Sequence, residues 1–122
     1  MIQSYRDLVV WQKAMELVTE TYRITKKFPK DEIFGLTGQM RRAAVAIPSN
    51  IAEGYGKSSR KEYIYFLSNA RGSLLELETQ VLIAGNLTYL KESEANNLLA
   101  LVSEVGRITH GLLSSLKTRK SQ

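Results

Sequence analysis

Apolar side chains recur along almost the whole chain at the i, i+3, i+4, i+7 spacing of a helix face, and this rhythm constrains the fold more than any other feature. The first run covers about residues 8–28, with Val10, Trp11, Ala14, Met15, Leu17, Val18, Tyr22, Ile24 and Phe28 on one broad face. Asp7 is placed to be its N-cap, and Phe28-Pro29 ends it, because a residue before proline avoids the α region. The second covers about 31–54. Asp31 and Glu32 suit a helix N-terminus, Leu36, Met40, Ala43, Ala44, Ile47 and Ile51 form the stripe, and Gly54 and Gly56 mark the end. Pro48 falls inside this pattern and predicts a kink rather than a stop. The third, about 59–87, opens on Ser59-Arg60-Lys61-Glu62, the spacing of a capping box, and carries Tyr63, Phe66, Leu67, Ala70, Leu74, Leu77, Val81 and Ala84. The fourth, about 93–116, turns Leu98, Leu99, Val102, Val105, Ile108, Leu112, Leu113 and Leu116 inward. No stretch alternates as a strand would, and the connections are short. The pattern therefore predicts an all-α fold, an antiparallel up-down-up-down four-helix bundle forming a single domain over residues 1–122, with a basic tail at 117–122.

Composition removes several kinds of chemistry. The chain has no cysteine, which excludes disulfides, thiolate-bound metals and thiol catalysis. Its one histidine, His110, lies among Ile108, Leu112 and Leu113 with no acid near in sequence, and Arg107 stands where a Glu-x-x-His metal pair would need a carboxylate. A structural or surface histidine is the expectation, and no cofactor or metal is predicted. The opening Met1–Asp7 lacks a signal-type apolar core, and the longest apolar runs are far below the roughly 20 residues that span a bilayer. A cytoplasmic protein without membrane contact is the expectation.

Charge is the feature that hints at a role. Lys and Arg total 17 against 12 Asp and Glu, a net +5, and residues 1–61 hold the whole excess with 11 basic and 6 acidic side chains. A basic half-molecule favours an acidic partner, with nucleic acid the leading class. The candidate contacts are Lys26, Lys27 and Lys30 near the first turn, Arg41 and Arg42 on the second helix, and Lys57, Arg60 and Lys61 in the second turn. That second turn, Gly56-Lys57-Ser58-Ser59-Arg60-Lys61, sets three cations at a helix N-terminus, where backbone N–H groups favour anions. A solvated, capped helix start is the plainer reading of the same residues. In an up-down bundle the two turns lie at opposite ends.

The second helix also carries apolar residues beyond one stripe: Val45, Pro48 and Ala52, headed by Arg41. The third does likewise with Ile64, Leu75 and Leu82 beside Arg71 and Glu78. Surplus apolar surface on a small chain marks a contact with another copy or another protein. Arg42, Ser49 and Glu53 share one side at i, i+7, i+11 with Asn50 beside them. This polar cluster reads either as a binding site or as structure, with Arg41 and Arg42 paired to Glu76 and Glu78 as partly buried ion pairs. An enzyme built on Glu53, Arg42 and Asn50 is a weak third reading, since neither a triad nor a metal set is present.

The strings Asp7-Leu8-Val9-Val10-Trp11-Gln12-Lys13-Ala14, Phe34-Gly35-Leu36-Thr37, Gln39–Ala44, Ile47-Pro48-Ser49-Asn50-Ile51-Ala52-Glu53-Gly54 and Glu76-Leu77-Glu78-Thr79-Gln80 resemble one bacterial family. This is the "four helix bundle protein" family, found as reading frames within intervening sequences of 23S ribosomal RNA genes. It is similar, more distantly, to the accessory protein of diversity-generating retroelements. The resemblance implies a ring-like homopentamer of antiparallel four-helix bundles, no enzymatic activity, and RNA or nucleic-acid binding through a basic surface. The chain departs from the family pattern at Ala46, where serine is usual, at Asn69, where an aliphatic residue is usual, and at Thr88, where glycine commonly precedes the tyrosine. The function these readings favour is a non-catalytic, oligomeric nucleic-acid-binding protein, with a protein-interaction scaffold as the alternative.

Overall fold

The computed structural model describes residues 1–118. They form four α-helices, α1 (Val9–Thr25), α2 (Leu36–Tyr55), α3 (Arg60–Asn86) and α4 (Glu92–Thr118), with single 3₁₀ turns at Tyr5–Asp7 and Lys30–Glu32 and no strand among the described residues. Helices pack in the cyclic order α1–α2–α3–α4–α1, and among the described residues the backbones of the diagonal pairs stay apart. With short connections this is the predicted up-down-up-down arrangement. Of the tail expected at 117–122, Lys117 and Thr118 complete α4, and the remainder lies outside the described residues.

The centre is filled by the predicted stripes. Leu17 and Ile24 of α1 meet Met40, Ile47 and Ile51 of α2, Leu67, Leu77 and Val81 of α3, and Leu98, Val105 and Leu113 of α4, all fully buried. Two expected core residues of α1, Met15 and Tyr22, lie at the edge of the stripe and are exposed. The most extensive seam joins α2 to α3. There Gly54 allows a close approach, because a Cβ on it would lie 2.8 Å from Phe66 Cβ and 3.1 Å from Tyr63 Cδ1.

The element ends differ from the sequence reading for local reasons. Asp7 does not cap α1. It sits in the preceding 3₁₀ turn, where its carboxylate accepts from the Gln3 and Ser4 backbone N–H groups at 2.8 and 3.2 Å, and Leu8 takes the N-cap position without a side-chain bond. α1 stops at Thr25, three residues before Phe28. α2 begins at Leu36 rather than near 31, because Glu32 acts from outside the helix: its Oε1 accepts the Leu36 N–H at 3.0 Å. α2 then runs unbroken through Pro48. At the start of α3 the Ser59 hydroxyl accepts from the Glu62 N–H at 3.1 Å, which is the serine half of the predicted capping box.

α3 ends in a tight reversal. Thr88 has φ 59°, the left-handed region that β-branched residues avoid, while Tyr89 N–H donates to the Ala84 carbonyl and Thr88 N–H to the Gly85 carbonyl. This is the Schellman arrangement, formed with threonine where glycine is the natural occupant. Immediately after it, the Tyr89 hydroxyl donates to Glu32 Oε2 at 2.7 Å, and Lys27 pairs with Glu94. The α1–α2 and α3–α4 connections are therefore joined to each other at one end of the bundle.

Candidate nucleic-acid interface

Helix α2 separates the basic residues into two groups. It has 20 residues, so its ends lie about 30 Å apart at ~1.5 Å per residue. One pole carries the α1–α2 connection with Lys26, Lys27, Lys30 and Arg41. The other carries the α2–α3 turn with Lys57, Arg60 and Lys61.

At the first pole, Lys26, Lys30 and Arg41 line a cavity of about 350 Å³ together with Thr25, Phe28, Pro29, Ile33 and Thr37. No carboxylate is among these residues. Lys27 does not belong to the set, because its ammonium is taken by Glu94 of α4, a partner 67 residues away. That ammonium holds the Glu94 carboxyl below its usual range, helped by the Lys91 backbone N–H at 2.9 Å. Glu32 is also held low, first by the Leu36 N–H and then by the Tyr89 hydroxyl. Donating to that carboxylate, in turn, raises the Tyr89 phenol.

The ion pairs anticipated for Arg41 and Arg42 are not formed. Arg41 turns toward α1 instead of α3: its Nε donates to Thr25 Oγ1 at 3.0 Å, and its guanidinium carbon lies 4.7 Å from the centroid of the Tyr22 ring. Arg42 is one helical step further round and exposed. It shares a groove of about 380 Å³ between α2 and α3 with Gln39, Ser73, Glu76 and Gln80, yet Glu76 does not come within ion-pair distance, nor does Glu78. The same groove holds a buried, unpaired Gln80 Oε1. On its other side Arg42 joins Tyr22, Ile33, Arg41 and Val45 around a shallow depression of about 600 Å³.

At the second pole, the Lys57 ammonium lies 5.3 Å from the Phe66 ring centroid, a cation–π contact that leaves the charge open to solvent. Arg60 and Lys61 line an open hollow of about 780 Å³ with Ile64 and with Lys117 from the last turn of α4. α4 thus adds a cation to this pole that its sequence position alone does not place there.

The polar cluster on α2 does not converge. Ser49 Oγ donates to the Val45 carbonyl and Asn50 Nδ2 to the Ala46 carbonyl, both at 2.8 Å, so two of its members are turned back onto their own helix, and Glu53 stands exposed. The second apolar track is narrower than expected. Val45 is exposed and Ala52 half-buried, but Pro48 is buried, because it continues the inward line of Ala44 and Ile51 at i+4 and i+7. On α3, Ile64 packs against the core whereas Leu75 and Leu82 remain exposed; Arg71 is half-buried with no carboxylate of the described residues within ion-pair distance. His110 lies on the exposed face of α4.

Two residues of the first pole, Thr25 and Thr37, had no signal in the periodicity, and Tyr22 was legible only as a core residue. Tyr22 and Thr25 fix Arg41 from the neighbouring helix. Thr37 is buried with its hydroxyl unpartnered, unlike Thr19, Thr21, Thr25, Thr79 and Thr109, each of which donates to the carbonyl four residues earlier. As the second residue of α2, Thr37 has its fourth-back neighbour, Ile33, outside the helix.

Residues 6–111 match the family model described as 23S rRNA-intervening sequence protein. The chain belongs to that family. The matched stretch takes in all of α1, α2 and α3 and every candidate cation from Lys26 to Lys61, and leaves out Lys117. Comparison with curated protein sequences finds no match. Among solved structures, the chain is similar to a protein of unknown function from the S23 ribosomal protein family of Bacteroides thetaiotaomicron. The TM-score is 0.78 at 19% identity, with 86% of this chain and 98% of that one covered. At that identity the likeness establishes the shared four-helix fold. No helix among the described residues is long and apolar enough to cross a membrane.

Proposed function

We propose that the protein is a non-catalytic, oligomeric, cytoplasmic nucleic-acid-binding protein that holds RNA by its phosphates. One observation carries this reading: Lys26, Lys30, Arg41 and Arg42 near one pole and Lys57, Arg60 and Lys61 at the other have no carboxylate of the described residues within ion-pair distance, so their charge is not spent on those acids. Membership of a family named for 23S rRNA intervening sequences gives RNA as the nucleic acid to try first. The absence of a converging polar set around Glu53, with Asn50 bonded back to Ala46, favours binding over catalysis.

Self-association is the second part of the proposal. Phe34 is 94% exposed, and Ile33, Val45, Leu75 and Leu82 are also open, more large apolar surface than a small monomer gains from showing to water. Several copies in a ring, five by resemblance, would cover part of this surface and multiply two small basic poles into a continuous field.

The test is the mass of the assembly by light scattering, with and without RNA, across a salt series. Engaging Lys57, Arg60 and Lys61 alone predicts a slope of log K against log salt near −2 for single-stranded RNA, at ~0.7 per phosphate, and several times steeper if copies act together. Absence of RNA retention at low salt, or retention indifferent to salt, would overturn the nucleic-acid reading. A mass equal to one chain would overturn the oligomer.

A further inference from the structure

We infer that the cavity between the α1–α2 connection and the first turns of α2 is a phosphate-binding pocket, with Arg41 as its anion fork and Thr37 as its hydroxyl donor. This goes beyond the reading above, because it concerns one discrete phosphate group and stands whether or not a polynucleotide is retained.

The argument begins with Arg41. A guanidinium has five N–H donors in a planar fork. Here one of them, Nε–H, is committed to Thr25 Oγ1, and the plane is held over the Tyr22 ring at 4.7 Å. Thr25 is itself fixed, since its hydroxyl donates to the Thr21 carbonyl at 2.7 Å. The fork is therefore positioned, while the four N–H groups on its two terminal nitrogens have no partner among the described residues. A fork held at Nε and over a ring keeps its terminal nitrogens available for a bidentate oxyanion contact.

A second and independent observation points the same way. Thr37 is 2% exposed, lines the same cavity, and its Oγ1 has no hydrogen-bond partner. Buried hydroxyls are normally satisfied, and the other buried helical threonines here are. The side chain is held in place with an unused donor, and its residue lines a cavity rimmed by cations. Lys26 and Lys30 supply two further positive charges, and Phe28, Pro29 and Ile33 form an apolar wall that lowers the local dielectric and strengthens their pull. No acid is among the lining residues; of the two acids in the connection, Glu32 is occupied by the Leu36 N–H and the Tyr89 hydroxyl, and Asp31 stands exposed. At about 350 Å³ the space falls at the small end of ligand pockets, enough for one phosphate and the first atoms of its ester.

The phosphate is either a backbone diester or a terminal monoester, and the test separates them. Inorganic phosphate is titrated into the full chain at low ionic strength, with chloride at matched ionic strength as control, followed by amide NMR shifts and by thermal melting. Wild type should show saturable shifts confined to residues 25–41 and a rise in melting temperature. Arg41→Gln should abolish both. Thr37→Val should weaken binding about tenfold while raising the melting temperature of the phosphate-free protein, a combination that a merely structural threonine would not give. Lys57→Ala with Arg60→Ala, at the far pole, should change neither. A short single-stranded RNA is then compared with and without a 5′-phosphate. Tighter binding of the phosphorylated form, lost in Arg41→Gln, assigns a terminal monoester; equal binding, weakened in Arg41→Gln, assigns the diester. Phosphate no more effective than chloride, or Arg41→Gln and Thr37→Val both binding as wild type, would overturn the pocket. Salt-dependent RNA retention by a protein on which phosphate acts no differently from chloride would overturn the pocket while leaving the broader reading intact.

Discussion

Replacing Gly54 by alanine sets two well-measured effects against each other. On propensity alone, glycine to alanine in a helix gains about 0.5–1 kcal/mol. At Gly54 the added methyl would stand 2.8 Å from Phe66 Cβ, 3.1 Å from Tyr63 Cδ1 and 3.4 Å from the Tyr63 carbonyl oxygen. Carbon atoms in contact prefer roughly 3.5–4.0 Å, so α2 and α3 must separate by the better part of an ångström. Phe66 cannot rotate the obstacle away, because a Cβ is fixed to its backbone whatever the rotamer. Overpacking of this kind costs about 1–3 kcal/mol. The net expectation for Gly54→Ala is a loss of about 1 kcal/mol, read as a fall of roughly 0.5 M in the urea midpoint with an unchanged slope. Gly72 and Gly111 provide the internal control, since a Cβ at either meets nothing within 4 Å. Alanine there should raise stability by about 0.5–1 kcal/mol. Gly54→Ala as stable as the two controls would refute the close approach of α2 and α3 at this point.

Other consequences are equally direct. Thr88→Gly should raise the melting temperature by a few degrees, about 1 kcal/mol, because it removes a β-branched residue from φ 59°, and Thr88→Asn should fall between. Arg41→Ala should cost about 1–2 kcal/mol through the lost Thr25 hydrogen bond and Tyr22 contact, whereas Arg42→Ala should stay within about 0.5 kcal/mol in chemical denaturation. The folded pKa values of Glu20, Glu32 and Glu94 lie below the ordinary 4.5, so the stability they confer is complete above that value and drains away as pH falls through the depressed ones. Acid titration followed by circular dichroism should show a shallower decline in Glu32→Gln than in wild type. Tyr89 is shifted the other way, up from 10.0, so its contribution holds below that pH and fades as pH rises through the raised value.

The four helices were legible because a 3.6-residue period survives any detail of packing. Their ends were not always so. Asp31 and Glu32 have the composition of a first helical turn, yet Glu32 caps α2 from four residues upstream, and nothing in composition separates a residue that begins a helix from one that reaches it. The cationic residues were legible as a set, and their division between two ends followed from topology. Their partners were not. Lys27 is neutralised by Glu94 across the bundle, and Arg41 is steered to Tyr22 and Thr25 on a helix that a one-dimensional reading cannot rank above α3. Thr37 carried the least signal. A threonine in an amphipathic stripe looks like any other until the carbonyl its hydroxyl would need proves to lie outside the helix.

The bonds between the two connections at the first pole also set an order of events in time. Glu32 with Tyr89 and Lys27 with Glu94 fasten that end twice. Among the described residues the far end is held by ring contacts, Tyr55 against Tyr63 and Lys57 against Phe66, by the serine cap of α3 and by the Tyr5–Asp7 turn against α2, with no ion pair joining its connection to another. Opening should therefore begin at the α2–α3 turn and run inward, with amides around 55–62 exchanging first and a protease nicking there before it touches the opposite loops. The pocket around Arg41 lies where the chain would be last to come apart, and a ligand seated in it would slow the final step of unravelling more than the first.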